Sequence, residues 1–113
     1  MTTEEIARQL NLHLCCGETR PDSQVTGGYT SDLLSDVVAH AQNGNIWITL
    51  HTHPNIVAVA TLKKLSAIIL VQNLKPSSKT VQFCELHNIT IFSTPYSAFE
   101  ISAKLYNLLN RAS

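Results

Sequence analysis

Three short apolar runs divide the second half of the chain at near-even spacing: IWITLH at 46–51, AIILV at 67–71 and ITIFST at 89–94. Each is rich in β-branched residues and too short for a buried helix, so each reads as a strand. AIILV is apolar without interruption, the pattern of a strand covered on both faces. IWITLH has apolar residues on both faces apart from Thr49, which predicts an internal strand. Helical signals separate the runs. NIVAVATLKKL carries Asn55 in a cap position with Leu62 and Leu65 at helical spacing, and SSKTVQFCELHN opens on cap residues. SAFEISAKLYNLLN follows Pro95, which suits the approach to a helix. Strands alternating with helices define an α/β fold: a mainly parallel sheet of four to five strands, helices on both faces, right-handed crossovers.

The first half of the chain completes this frame. In TTEEIARQL, Thr2 stands three residues before Glu5, the spacing of a capping box, and Ile6 and Leu10 share a face. NLHLCC reads as a strand ending at Gly17. Residues 17–30, GETRPDSQVTGGYT, hold three of the four glycines and read as a loop with a short strand near Val25. Ser31 is placed to cap a helix over SDLLSDVVAHAQ, whose stripe is Leu34, Val37, Val38 and Ala41, with NGN at 43–45 as its stop.

At 113 residues the chain is one domain, residues 1–113. Eight basic and eight acidic residues give a net charge of +0, with neither sign in a block. That excludes the basic footprint of a nucleic-acid or acidic-membrane binder. Charge is only 14% of the chain, which points to a surface partly covered by a second subunit. The final helix agrees, with two apolar stripes: Ala98, Ile101, Leu105 and Leu108, and then Phe99, Ala103, Tyr106 and Leu109. One stripe covers the sheet; the surplus serves either a wide core contact or a homodimer interface.

No apolar stretch is long enough for a membrane helix, and MTTEEIARQL is acidic and amphipathic, unlike a signal peptide. Cys15, Cys16 and Cys84 are an odd set without a C-x-x-C pair, which suits a cytoplasmic location and a role as small buried hydrophobes. Trp47 reads as core, and Lys63 and Lys64 as a solvated face.

Several residues carry chemistry. In ITLHTHPN, His51 and His53 lie two apart at a strand end and can converge on one ligand. HTHP after an apolar strand is similar to the start of the JAMM-type zinc metalloprotease motif. Lys64, however, stands where that motif needs its third ligand, an aspartate. A cation cannot ligate zinc, so no metal is expected from that motif. Gly27 and Gly28 in TGGYTSD precede a predicted helix start, read either as a plain turn or as an anion cradle without the P-loop ending. Asp32, Asp36 and His40 are spaced as one helical stripe, which also complements the macrodipole. No serine nucleophile elbow is visible.

GGYTSDLLSDVVAHA, NIWITLHTHPNIVAVATLKKLSAIIL and ITIFSTPYSAFEISAKLYNLL together resemble the small stand-alone proteins of the DRTGG-domain group, over roughly residues 5–110. These are similar to the N-terminal domain of HPr kinase/phosphorylase, with related domains beside CBS domains and in phosphotransacetylases. The resemblance implies a small, dimeric α/β domain with a regulatory or ligand-sensing role, no cofactor and no catalysis of its own. The kinase P-loop is absent, and Gln24 and Val25 stand where the naming motif has Asp and Arg.

Ligands of open α/β sheets sit outside the carboxyl ends of the strands. His51, His53 and Asn55, with Thr94 and Ser97, are therefore expected to line a shallow pocket there. Gly27, Gly28, Tyr29, Thr30 and Ser31 are expected to close it, from the same subunit or its partner, around a small anion or nucleotide. The alternatives are a metal-dependent enzyme using His51 and His53 with Asp32 or Asp36, and a pure dimerisation module.

Overall fold

The run of β-branched residues in the middle of the chain becomes the buried centre of a five-stranded sheet in the computed structural model, which describes residues 1–112. The elements follow in the order α1 (Thr3–Gln9), β1 (His13–Cys16), β2 (Gly27–Thr30), α2 (Leu34–His40), β3 (Asn45–Thr49), α3 (Asn55–Lys63), β4 (Ala67–Leu70), α4 (Ser78–His87), β5 (Ile91–Ser93) and α5 (Ala98–Ala112). Strand order is β1-β5-β4-β3-β2. Strands β2 to β5 are parallel, while β1 lies antiparallel to β5 with a register shift between Leu14 and Cys16.

Side chains alternate across the sheet. Trp47, Ile68, Leu70 and Ile91 face one side, where they meet Val37, Ile56, Val57, Ala60 and Cys84 of α2, α3 and α4. Ile46, Ile48, Ile69 and Phe92 face the other, under Ile6 of α1 and Ile101, Leu105 and Leu108 of α5. Helices thus cover both faces. The division follows from the winding: β2, β3, β4 and β5 step across the sheet in one direction, so all three crossover helices fall on one face. The other face is left to α1 and α5.

The capping box at Thr2 and Glu5 is made in both directions. Ser77 caps α4, as the cap residues imply. Other boundaries differ from the sequence reading. GGYT is a strand, neither a turn nor a loop, because it pairs in parallel register with β3, Gly27 opposite Asn45 through Thr30 opposite Ile48. The strand expected near Val25 is therefore displaced to 27–30; Gln24 makes only an isolated bridge to Thr2.

Ser31 does not cap α2, which starts at Leu34 behind Leu33. Its carbonyl instead accepts from Trp47 Nε1 at 2.8 Å, and its hydroxyl accepts from Leu33 N at 3.2 Å. Asp32 consequently lies outside the helix, and the expected stripe shrinks to Asp36 and His40, paired at 3.0 Å. Asn55 is the first residue of α3, and Pro54 takes the cap position. Cys16 and Cys84 are buried as expected, whereas Cys15 is only half-buried. A hydrogen bond with Cys84, together with burial, holds the Cys16 thiol above its ordinary range, so it stays protonated and packs as an apolar group.

Candidate ligand-binding cleft

The expected site residues fall into two groups. At the carboxyl edge of the sheet, His51 follows β3 and its Nε2 meets the carbonyl of Asp32. The Asp32 carboxylate accepts from Thr49 Oγ1 and from Leu50 N, each at 2.9 Å. Thr94 is buried; its hydroxyl accepts from Tyr96 N at 3.4 Å and its carbonyl from Asn73 N at 2.8 Å. Ser97 Oγ accepts from Glu100 N at 3.2 Å and starts α5. His53 and Asn55 are exposed.

Most polar atoms of this group thus serve the loops that carry them. Asn55 borders a groove between α3 and α4 with Phe83 and His87, away from Thr94 and Ser97. The winding gives this edge no switch point: strand order must reverse for two loops to part there, and β2 to β5 never reverse. Among the described residues, no three His, Cys, Asp or Glu side chains gather as a metal site.

The second group opens a cleft. Gly28 and Thr30 face α5, and Gly27 and Tyr29 face the other side, as strand periodicity requires. A Cβ on Gly28 would lie 2.9 Å from Leu105 Cδ2, so this glycine lets α5 approach the edge strand closely. Two residues along, Thr30 Oγ1 and Ser102 Oγ are 2.7 Å apart. Between strand and helix lies a cleft of about 700 Å³, floored by Gly27, Gly28, Thr30 and Ile48 and walled by Ser102, Leu105, Tyr106 and Leu109. This is within the size range of small-molecule sites. Val25, Thr26 and Met1 close one end.

Tyr29 lies on the opposite face, where its hydroxyl donates to Asp36 at 2.9 Å. Hydrogen bonds from Ser31, then Tyr29, and the neighbouring His40 keep the Asp36 carboxyl below its usual range. The same carboxylate pushes the Tyr29 phenol up. These groups fix the start of α2 and do not reach the cleft.

Sequence reasoning found the strand side of the cleft and missed its helical wall, Ser102, Leu105, Tyr106 and Leu109. The available signal was the double apolar stripe on α5. Its outer half stays uncovered: Phe99 is 84% exposed and Tyr106 69%. A second apolar depression of about 540 Å³ runs over this outer half and shares Thr30, Ser102 and Tyr106 with the cleft.

The cleft offers an aromatic edge, hydroxyls and aliphatic walls, with no carboxylate, imidazole or thiol among its lining side chains. The architecture is that of a small α/β domain with a mainly parallel five-stranded sheet. The description "DRTGG domain" matches residues 5–108, and the chain belongs to the DRTGG-domain family. The fold is also similar to the crystal structure of the CBS and DRTGG domains of the regulatory region of Clostridium perfringens pyrophosphatase, complexed with its activator diadenosine tetraphosphate. That likeness has a TM-score of 0.71 at 19% identity and covers 93% of this chain but 45% of that one. The chain thus spans less than half the length of that structure. No curated protein matches it.

Proposed function

We propose that this domain is a non-catalytic regulatory module that senses a small anion or nucleotide and acts as a homodimer in the cytoplasm. The cleft between β2 and α5 carries the reading. It has the volume and mixed lining of a ligand site, and its lining side chains hold no carboxylate, imidazole or thiol for acid–base or nucleophilic chemistry. Tyr106 offers a ring face for a base, and Thr30 and Ser102 offer hydroxyls for a sugar. One further observation supports it. The similar pyrophosphatase region is regulatory and was solved with a nucleotide activator. The three free cysteines suit a reducing compartment, and among the described residues no helix is long and apolar enough to cross a membrane.

Ligand binding to the folded state raises the melting temperature. In a thermal-shift titration with AMP, ATP and diadenosine tetraphosphate at millimolar concentration, at least one is expected to stabilise the protein. Ser102→Trp, which fills the cleft from a half-buried position, is expected to abolish the shift. His53→Ala is the companion variant for the carboxyl-edge group of His51, His53, Asn55, Thr94 and Ser97. A shift lost in His53→Ala but kept in Ser102→Trp moves the site to that edge, and no shift with any nucleotide sinks the reading.

The dimer is placed on the outer stripe of α5, where Phe99 and Tyr106 are the most exposed apolar side chains of the helix. Phe99→Glu sets a charge in that surface at a position that covers no core. Light scattering after gel filtration is expected to give a dimer mass for the wild type and a monomer mass for Phe99→Glu. A monomeric wild type removes the dimer from the proposal.

A further inference from the structure

The amino-terminal edge of the parallel strands holds a second, chemically different cavity. It has a volume of about 350 Å³ and opens where β3, β4 and β5 begin, beside Gly44, Ser66 and Thr90. Two cationic side chains and an imidazole line it from three separate segments: Arg20 from the loop after β1, Lys64 from the end of α3 and His87 from the end of α4. The amides of Asn43 and Asn88 join them, and no carboxylate does.

The plain reading is that Lys64 and His87 complement the carboxyl ends of their helices. Two observations weigh against it as a full account. The terminal carbonyls already have partners: Ala60 O accepts from Lys64 N and from Leu65 N, and Cys84 O accepts from Asn88 N and from Ile89 N. The magnitudes also differ, since two helix ends bring roughly half a negative charge each, against full charges on Arg20 and Lys64. The cavity is left net positive.

Nor are these cations consumed within the chain. Arg20 gives one N–H to Asn88 O at 2.5 Å. The Lys64 ammonium makes no hydrogen bond or ion pair among the described residues, and the His87 ring meets the Phe83 ring edge-on with centroids 6.5 Å apart. Lys64 also has φ 54°, a left-handed cap position where glycine is the favoured residue. A lysine here works against backbone preference, and its charge is what glycine would lack.

We propose that this amino-edge cavity binds a phosphate dianion, either free or as the terminal group of a larger ligand. The Lys64 ammonium and the Arg20 guanidinium match such an anion in charge and donor geometry, with the His87 imidazole beside them, and a volume of about 350 Å³ accommodates phosphate or pyrophosphate. The site is separate from the cleft between β2 and α5 and does not depend on it.

Lys64→Gly separates binding from folding, because glycine suits the left-handed position. Calorimetric titration of the full chain with inorganic phosphate and with pyrophosphate, at ionic strength held constant with chloride, is expected to show saturable binding. Affinity is expected to fall at least tenfold in Lys64→Gly and in Arg20→Gln, with the melting temperature of Lys64→Gly equal to or above that of the wild type. Ser102→Trp is expected to leave it unchanged. Titration with AMP separates the sources: binding that also falls in Lys64→Gly shows a phosphate carried on a larger ligand, and binding by phosphate alone shows the free ion. Absence of saturable binding by both inorganic anions, or equal affinity in Lys64→Gly, overturns the proposal whatever the nucleotides do at the cleft.

Discussion

Replacing Trp47 with alanine is expected to remove about 3–5 kcal/mol of stability, the usual cost of deleting a fully buried large aromatic. Trp47 has no exposed surface and sits in the core under α2 and α3. It is flanked by Tyr29 of β2 and Ile68 of β4 and lies beneath helices, so the void cannot close without moving secondary structure. A polar loss adds to the cavity. The indole N–H is the donor to Ser31 O, and without it that carbonyl loses its partner beside the core. For a domain whose total stability is typically about 5–15 kcal/mol, this is a large part of the whole. Urea unfolding followed by circular dichroism measures it, and Trp47→Phe divides the two contributions. Phenylalanine fills most of the volume but cannot donate, so it is expected to fall between wild type and alanine. A midpoint for Trp47→Ala within error of the wild type would refute this assignment of the core.

Gly17→Ala is the second large effect, and it acts through the backbone. Gly17 closes β1 at φ +81°, a left-handed conformation costing a residue with a Cβ about 1–2 kcal/mol. The added methyl also has no room: an ideal Cβ falls 2.1 Å from Ile89 O and 2.9 Å from the Thr90 Cα. Both obstacles are main chain, and the Ile89 carbonyl also accepts from Cys84 Sγ at 2.8 Å. Relief therefore has to open the junction of β1, β5 and α4, and the total loss is expected to exceed about 2 kcal/mol. Gly44 supplies the comparison. It has φ +86°, but a Cβ there meets only the side chain of Thr26, so relief costs that hydroxyl's hydrogen bonds with Asn43 O and Asn45 Nδ2 and moves no main chain. Gly44→Ala is expected to cost clearly less by the same urea measurement. Equal losses would mean that the left-handed backbone alone, and no clash, sets both.

These two positions show what could be read from the sequence and what could not. The three apolar runs declared themselves as strands because burial on both faces demands uninterrupted β-branched residues, whatever the topology. Thr2 and Glu5 declared the first helix because a capping box is local chemistry. Gly27–Thr30 did not, because two glycines have no strand preference of their own; their strand exists through hydrogen bonds to β3. Ser31 and Asp32 misled for the opposite reason. Both are good caps, but Trp47, Thr49 and Leu50, all distant in sequence, engage them first.

The site was half legible on similar grounds. Gly27 and Gly28 advertised a close backbone approach, and one exists, though the approaching body is Leu105 of α5. Whether the carboxyl edge has a switch point depends on strand order, a property of the whole sheet that no local segment encodes. Of the amino-edge group only Lys64 was read, as part of a solvated face, because Arg20, Lys64 and His87 meet through tertiary structure alone.

The one-way winding of the sheet has a mechanical side. Helices α2, α3 and α4 are each tied at both ends to strands, so none can shift without dragging the sheet. Helix α5 joins no two of the five strands: it leaves β5 through the turn at 94–97 and rests on β2 and β3 by Ile101, Leu105 and Leu108. It lies across an edge strand whose Gly28 lets it come close. A ligand seated between β2 and α5 would therefore press on this helix before any strand pairing. The outer apolar stripe would move with it, so occupancy of the cleft becomes a change in the surface that α5 presents.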